Sequence, residues 1–150
     1  MWTLQFLGKL QNLVPLLLRA MVGGAFAFSH GYGKMMGPDG FDGGWTFVHG
    51  ALDRTPGVAP VFLLYIAAWT EFLAGAGLVL GLFTRWAAIG ILCVMSYAIL
   101  RVHWSAGFSV QNGGYEMALM YAVMSVCIMA VGPGSLSLDR LFFQKAALNP

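Results

Sequence analysis

Charge is scarce in this sequence. Eight basic and six acidic residues among 150 make 9% of the chain charged, against about 25% in an ordinary soluble domain. With 59% hydrophobic residues and a mean hydropathy of +0.74, the chain has too few polar groups to cover the surface of a compact water-soluble fold. The formal net charge of +2 is small and scattered. Without a basic run there is no footprint for nucleic acid, and none is expected as a partner. Cysteine is nearly absent too. Cys93 and Cys127 lie far apart in apolar surroundings, with neither a CxxC redox pair nor a zinc-ligand spacing.

What the chain does have is long apolar runs, at about 13–36, 58–83, 86–102 and 115–131. Each is near the roughly 20 residues that cross a bilayer. The first imitates a secretory signal, with Lys9 ahead of it and Ala25-Phe26-Ala27 in place of a cleavage site. Arg19 interrupts its core and the apolar run continues past that site, so it reads as a retained helix. Gly, Pro and Asp cluster between the first two runs, at about 37–57, and mark the one substantial loop. Within it, Trp45 to Leu52 reads as a short amphipathic helix at headgroup level. Thr84-Arg85 is too short for anything but a tight hairpin, about 103–114 is a Gly-rich loop, and Ser137 to Arg140 reads as the cap of a small terminal helix.

These elements predict an all-α membrane protein: one domain over 1–150, an antiparallel four-helix transmembrane bundle with one longer extracytoplasmic loop. Lys9, Arg85, Arg140 and Lys145 lie toward one side and Lys34, Arg54 and Arg101 toward the other. The positive-inside tendency then puts both termini in the cytoplasm. Ala20, Gly24, Ala27 and Gly31 recur at helical spacing on the first helix, with Gly77 and Gly81 on the second. They form a small-residue stripe suited to close helix contact or to a homo-oligomer.

Each ionisable group inside a span costs roughly 2.5 to 3.5 kcal/mol at the bilayer centre, so each needs a partner or a task. Arg19 and His30 are eleven residues apart, within about 20° of one face of a regular α-helix, and Lys34 follows one turn later. Glu71, mid-helix among Ala67, Ala68, Ala74 and Gly75, would stay protonated if unpaired; pairing with His30 or Arg19 is the expected solution. Glu116 opens the fourth helix, where the helix dipole favours a carboxylate. With His103, Trp104, Lys34, Gln111, Tyr32 and Tyr115 it would line an outward polar mouth. Each group also has a structural reading: Arg19 can snorkel, Glu116 can cap, and Glu71 can form an ion pair. His30, His103, Glu71 and Glu116 are metal-capable types without diagnostic spacing, and no metal is expected. Cys93 and Cys127 read as small buried apolar residues in the inner half of neighbouring helices. Phe26, Phe28, Trp69, Phe72, Met95, Tyr97 and Met120 would make walls for a flat apolar ring such as a quinone.

Taken in order, Arg19 with Gly23, His30-Gly31 followed by Lys34, Glu71 before a Gly/Ala-rich run, Thr84-Arg85 before Ala87-Ala88, His103 before Gly107-Phe108, Glu116, and Gly132-Pro133-Gly134 with Ser137-Leu138-Asp139 resemble the DoxX family over about residues 13–140. The resemblance implies a multi-pass protein of the bacterial inner membrane, related to membrane subunits of thiosulfate:quinone oxidoreductases. It implies a quinone-linked redox subunit acting with other membrane or periplasmic redox subunits, on thiosulfate or a related sulfur or thiol reductant. Glu71 and His30 are then the catalytic candidates, with Arg19, Lys34, His103 and Glu116 binding substrate or quinone. The alternative is a non-catalytic anchor or assembly subunit of a larger membrane complex.

Overall fold

The computed structural model describes residues 13–54, 57 and 59–144; Lys9 and Lys145, used above for orientation, lie outside them. Helix α1 begins with Pro15 in its first turn, where a missing N–H costs nothing. It is α-helical over Val14–Gly24, widens to a π-helix over Ala25–Tyr32 and returns to α over Gly33–Met35. A two-residue hairpin, β1 (Met36–Gly37) against β2 (Gly40–Phe41), leads into α2 (Trp45–Arg54). That helix is held at its start by Asp42, whose carboxylate accepts from the Gly44 and Thr46 amides at 2.9 and 3.0 Å. Three more helices follow: α3 (Val61–Leu80), α4 (Thr84–Ala106) and α5 (Glu116–Val131). The second of these, α4, continues from α-helix through a second π segment, Ala98–His103, to a closing 3-10 turn.

Two of these helices are long and apolar enough to cross a membrane. They are α3, of 20 residues and mean hydropathy 1.7, and α4, of 23 residues and mean hydropathy 1.6; α5 is apolar but shorter. The α3–α4 connection is as tight as expected. Gly81 ends α3 in the left-handed region at φ 67°, with the Leu82 amide donating to Gly77 O at 2.8 Å and the Gly81 amide to Leu78 O at 3.2 Å, the usual glycine stop. Phe83 then also takes a positive φ, 50°. That costs a non-glycine residue about 1–2 kcal/mol.

Helices α1, α3, α4 and α5 pack in a ring, each against its neighbours. The interior is built from small residues, Ala74, Ala87, Ala88, Ala118 and Ala122, around Val22, Phe26, Leu78, Ile91 and Ile128. Large apolar side chains point outward instead: Met21, Phe28, Phe62, Trp86 and Leu100 are all more than 60% exposed. This inverts the arrangement of a water-soluble core and suits a lipid surround.

The small-residue contact is present but shifted from the expected stripe. Gly24 has open space where a Cβ would stand, and Ala20 is exposed. The residues that approach α3 are Gly23, Ala27 and Gly31. A Cβ on Gly23 would lie 2.8 Å from the Gly75 carbonyl oxygen, and one on Gly75 would run into the Ala27 backbone.

Candidate functional site

A cavity of about 330 Å³ lies among α1, α3, α4 and α5, with α2 over it. Four of the ionisable residues singled out from the sequence as site candidates line it together: His30 and Lys34 from α1, Glu71 from α3 and His103 from α4. Tyr97 and Tyr121 add phenols, while Leu63, Ala67, Met95, Val102 and Met117 make apolar wall. Both histidines sit on the π-helical segments of their helices. Such widenings are rare and concentrate at functional sites.

Glu71 is 2% exposed, and its partner is Lys34, with Nζ 2.5 Å from Oε2. Neither expected partner, His30 or Arg19, holds it. Two physical effects account for the difference. A π turn takes more residues than an α turn, so the regular 100° count from Arg19 to His30 does not hold across Ala25–Tyr32. A helical side chain also leans toward the N-terminus of its helix, which sends Lys34 back along α1 toward mid-bundle. The Lys34 ammonium lies 4.8 Å from the centre of the Phe47 ring on α2, a cation–π contact that leaves its side chain 23% exposed. Apart from the ion pair, Oε2 has no hydrogen-bond partner among the described residues. His30 is wedged between Phe26 and Tyr121, with ring centres 5.2 and 5.8 Å away. Both Glu71 and Lys34 are within electrostatic reach of it.

His103 is fixed from behind. Its Nδ1 is 2.7 Å from the Gly113 carbonyl oxygen. A carbonyl only accepts, so Nδ1 carries a proton, and in the neutral form of the ring Nε2 is then the acceptor. The loop supplying that carbonyl is closed by backbone bonds, Tyr115 N to Gly107 O and Glu116 N to Phe108 O, both 3.0 Å. Glu116 does not reach the cavity. Its Oε2 accepts from the Val110 amide at 3.0 Å and ties the loop to the start of α5. Gly114 is jammed against it, since a Cβ there would lie 2.7 Å from the Phe108 carbonyl carbon.

Residues 14–104 match the DoxX family model. The chain belongs to the DoxX family. Two proteins of Haemophilus influenzae, each described only as an uncharacterized protein, are similar to it. One is 31% identical over 77 residues, 51% of this chain and 51% of the relative. The other is 36% identical over 87 residues, 55% of this chain and 64% of the relative. The matched parts thus span about half the length of one relative and under two thirds of the other. No solved structure matches the chain. As a DoxX membrane protein it contacts the lipid bilayer, in keeping with its apolar exterior. The matched stretch contains all four cavity residues taken from the sequence, His30, Lys34, Glu71 and His103.

Arg19 is placed elsewhere in this DoxX chain. It is 1% exposed and lies toward the opposite end of the bundle. There Nη1 donates to Leu78 O at 3.4 Å and Nη2 to Leu136 O at 2.5 Å, tying α1 to α3 and to the segment after α5. Next to it Asp139 performs a task the sequence reading missed. Its carboxylate accepts from the Phe83 and Thr84 amides at 2.6 and 2.8 Å, capping α4 from 55 residues away in the chain. Its own amide donates to Gly81 O at 2.8 Å. The local signal was Ser137, whose Oγ accepts from the Arg140 amide at 3.2 Å as a helix cap does; the tertiary use of Asp139 has no local signature. Of the expected ring walls only Met95 and Tyr97 line the cavity, whereas Phe28 is 71% and Met120 54% exposed on the outer face. Tyr121 and Phe47 take the vacant roles. Cys93 and Cys127 are free and exposed, not buried. In lipid an apolar outward face carries no penalty, so the rule that free cysteines are buried does not transfer. Among the described residues no group of three or more His, Cys, Asp and Glu is gathered for a metal ion.

Proposed function

We propose that this DoxX protein is a four-helix bundle of the bacterial inner membrane, with both termini cytoplasmic, that binds a quinone ring in the cavity as a redox subunit. The observation that carries the reading is the buried Lys34–Glu71 ion pair on the wall of an apolar cavity that both histidines also line. An intramembrane ion pair of this kind marks a proton or ligand site more often than a neutral one. The residues suit the ring. A volume of about 330 Å³ is at the lower end of small-molecule sites, about 300–1,000 Å³, and polar groups stand among apolar walls. When bound, a quinone supplies two-electron, two-proton carrier chemistry. The chain's own part is to position and to move protons. Lys34 donates to a ring oxygen and stabilises negative charge there. Glu71, released from Lys34 as that contact forms, holds a proton within reach of His30. Electrons come from a partner subunit or a small sulfur or thiol reductant.

Mild-detergent purification followed by solvent extraction tests the reading. Quinone should co-purify with the chain, be lost in Lys34→Met, and remain bound but unreduced in Glu71→Gln. Unchanged quinone reduction in Glu71→Gln refutes its proton role.

One observation favours a second, non-catalytic reading as an assembly subunit. An open apolar groove of about 590 Å³ runs between α3 and α4, floored by Gly77 and Gly90 and flanked by Trp69 and Trp86, and small-floored grooves take partner helices. A membrane complex that survives detergent and dissociates in Gly77→Leu would support it.

A further inference from the structure

We infer that the cavity selects aromatic rings that bear a hydroxyl, and hence the quinol over the quinone, because the bond to the Gly113 carbonyl leaves the neutral form of His103 with Nε2 as a hydrogen-bond acceptor. The inference rests on the cavity being a ring site, as proposed above, and names which form of ring it prefers.

The selectivity follows from the donors and acceptors on the wall. Lys34 can only donate, and Glu71 stands beside it, with Oε2 2.5 Å from Nζ. The His103 Nδ1–H is spent on the Gly113 carbonyl at 2.7 Å, so the nitrogen left for a ligand, Nε2, is a lone pair. Of the other lining residues, Ala98, Val102 and Met117 offer no side-chain donor, and the phenols of Tyr97 and Tyr121 both donate and accept, so they serve a hydroxyl and a carbonyl alike. A quinone carbonyl brought to His103 sets lone pair against lone pair, and both then lack a partner away from water, which is costly. A quinol hydroxyl donates to Nε2 while the other hydroxyl of the same ring accepts from Lys34. The quinol is thus matched at both places and the quinone at one.

Glu116 is the positioning residue. The Gly113 carbonyl holds the tautomer only while the loop keeps its place, and the loop is tied by Glu116 Oε2 to the Val110 amide at 3.0 Å. Glutamine keeps an acceptor oxygen at that position; alanine does not.

The test is equilibrium binding to the whole chain in detergent micelles, corrected with empty micelles. The probes are 1-naphthol against 1-methoxynaphthalene, in which a methyl replaces the hydroxyl hydrogen, and anaerobic 1,4-naphthohydroquinone against 1,4-naphthoquinone. The hydroxyl form of each pair should bind at least tenfold tighter. His103→Phe should bring both ratios near one. Glu116→Ala should narrow them and Glu116→Gln restore them, a change in ratio that loss of stability alone does not produce. Equal affinities within each pair in the unaltered protein overturn the inference and leave the ring site standing. Failure of every probe to bind removes the ring site and this inference together.

Discussion

Removing the charge of Lys34 isolates the energetics of the buried pair. In Lys34→Met the side chain keeps its apolar stem and its place near Phe47, but Glu71, 2% exposed, loses the only group that Oε2 meets among the described residues. Stripping a buried ion pair of one member costs about 3–5 kcal/mol in soluble proteins. In bilayers polar couplings are smaller, about 0.6 kcal/mol on average for hydrogen bonds, since the unfolded chain also finds partners there. A full ion pair at 2.5 Å should lie between these limits, and we expect Lys34→Met to lose about 2–3 kcal/mol. Glu71→Gln should lose less, about 1–2 kcal/mol, because Lys34, 23% exposed, can swing its ammonium toward the surface. Lys34→Met/Glu71→Gln should regain much of the summed loss, a coupling above about 1.5 kcal/mol. Reversible unfolding of the four proteins in mixed micelles, followed by helical circular dichroism, gives the cycle. Single losses that simply add, within about 0.5 kcal/mol, would show that the pair contributes nothing as a pair, and the placement of Lys34 against Glu71 would be refuted.

Other outcomes follow from the packing and the hydrogen bonds. Gly75→Leu should separate α1 from α3 and lose at least about 2 kcal/mol, whereas Gly24→Ala, which meets open space, should be neutral or slightly stabilising in the same unfolding assay. Asp139→Ala removes the acceptor of the Phe83 and Thr84 amides and should cost about 1–2 kcal/mol, as loss of a helix cap does. Thr84 is fully buried with no hydrogen-bond partner for Oγ1 among the described residues, so Thr84→Val should raise stability by about 1 kcal/mol; a loss would mean that the hydroxyl has a partner. Asp42, outside the spans, has its pKa lowered from 3.8, chiefly by a bond from the Thr46 side chain and then by the Thr46 amide. A depressed carboxylate stabilises above its unfolded pKa and ceases to as pH falls through the folded one. Proteolysis of the segment from β1 to α2 should therefore stay constant through neutral pH and rise only below about pH 4.

Helix positions, the tight α3–α4 turn and the short amphipathic α2 were legible in the sequence because each depends on local chemistry: apolar runs, Gly81, and Trp45 with its spaced apolar neighbours. His30, Lys34, Glu71 and His103 were legible as a set because a charge inside an apolar run has few uses. Their pairing was not legible. Choosing Lys34 for Glu71 depends on the helical phase of α1, and the π segment over Ala25–Tyr32 changes that phase without any proline or other sequence mark. The same slip put the small-residue stripe on Gly24 when the contact runs through Gly23. Asp139 escaped for a different reason: a carboxylate that caps a helix 55 residues away looks, in sequence, like any residue at the start of a short terminal turn.

Of three π segments among the described residues, the two within the helix ring connect these points. One carries His30 and the other His103, on helices that face the cavity from different sides, while α3 and α5 run as regular α-helices through the same depth. A wider turn is less favourable than an α turn, so its occurrence at both histidines and not along the rest of the ring requires something local to stabilise it. On α1 the contact is Gly31 packed directly against the Phe72 backbone, with Phe26, His30 and Tyr121 stacked in one aromatic group. On α4 it is the bond from His103 to Gly113. Close packing to α3 on one side, and a hydrogen bond to the loop before α5 on the other, thus hold the histidines in place at the expense of helix regularity. The irregularity belongs to the site, and its geometry is set by backbone contacts that neither the charge pattern nor the periodicity of the sequence records.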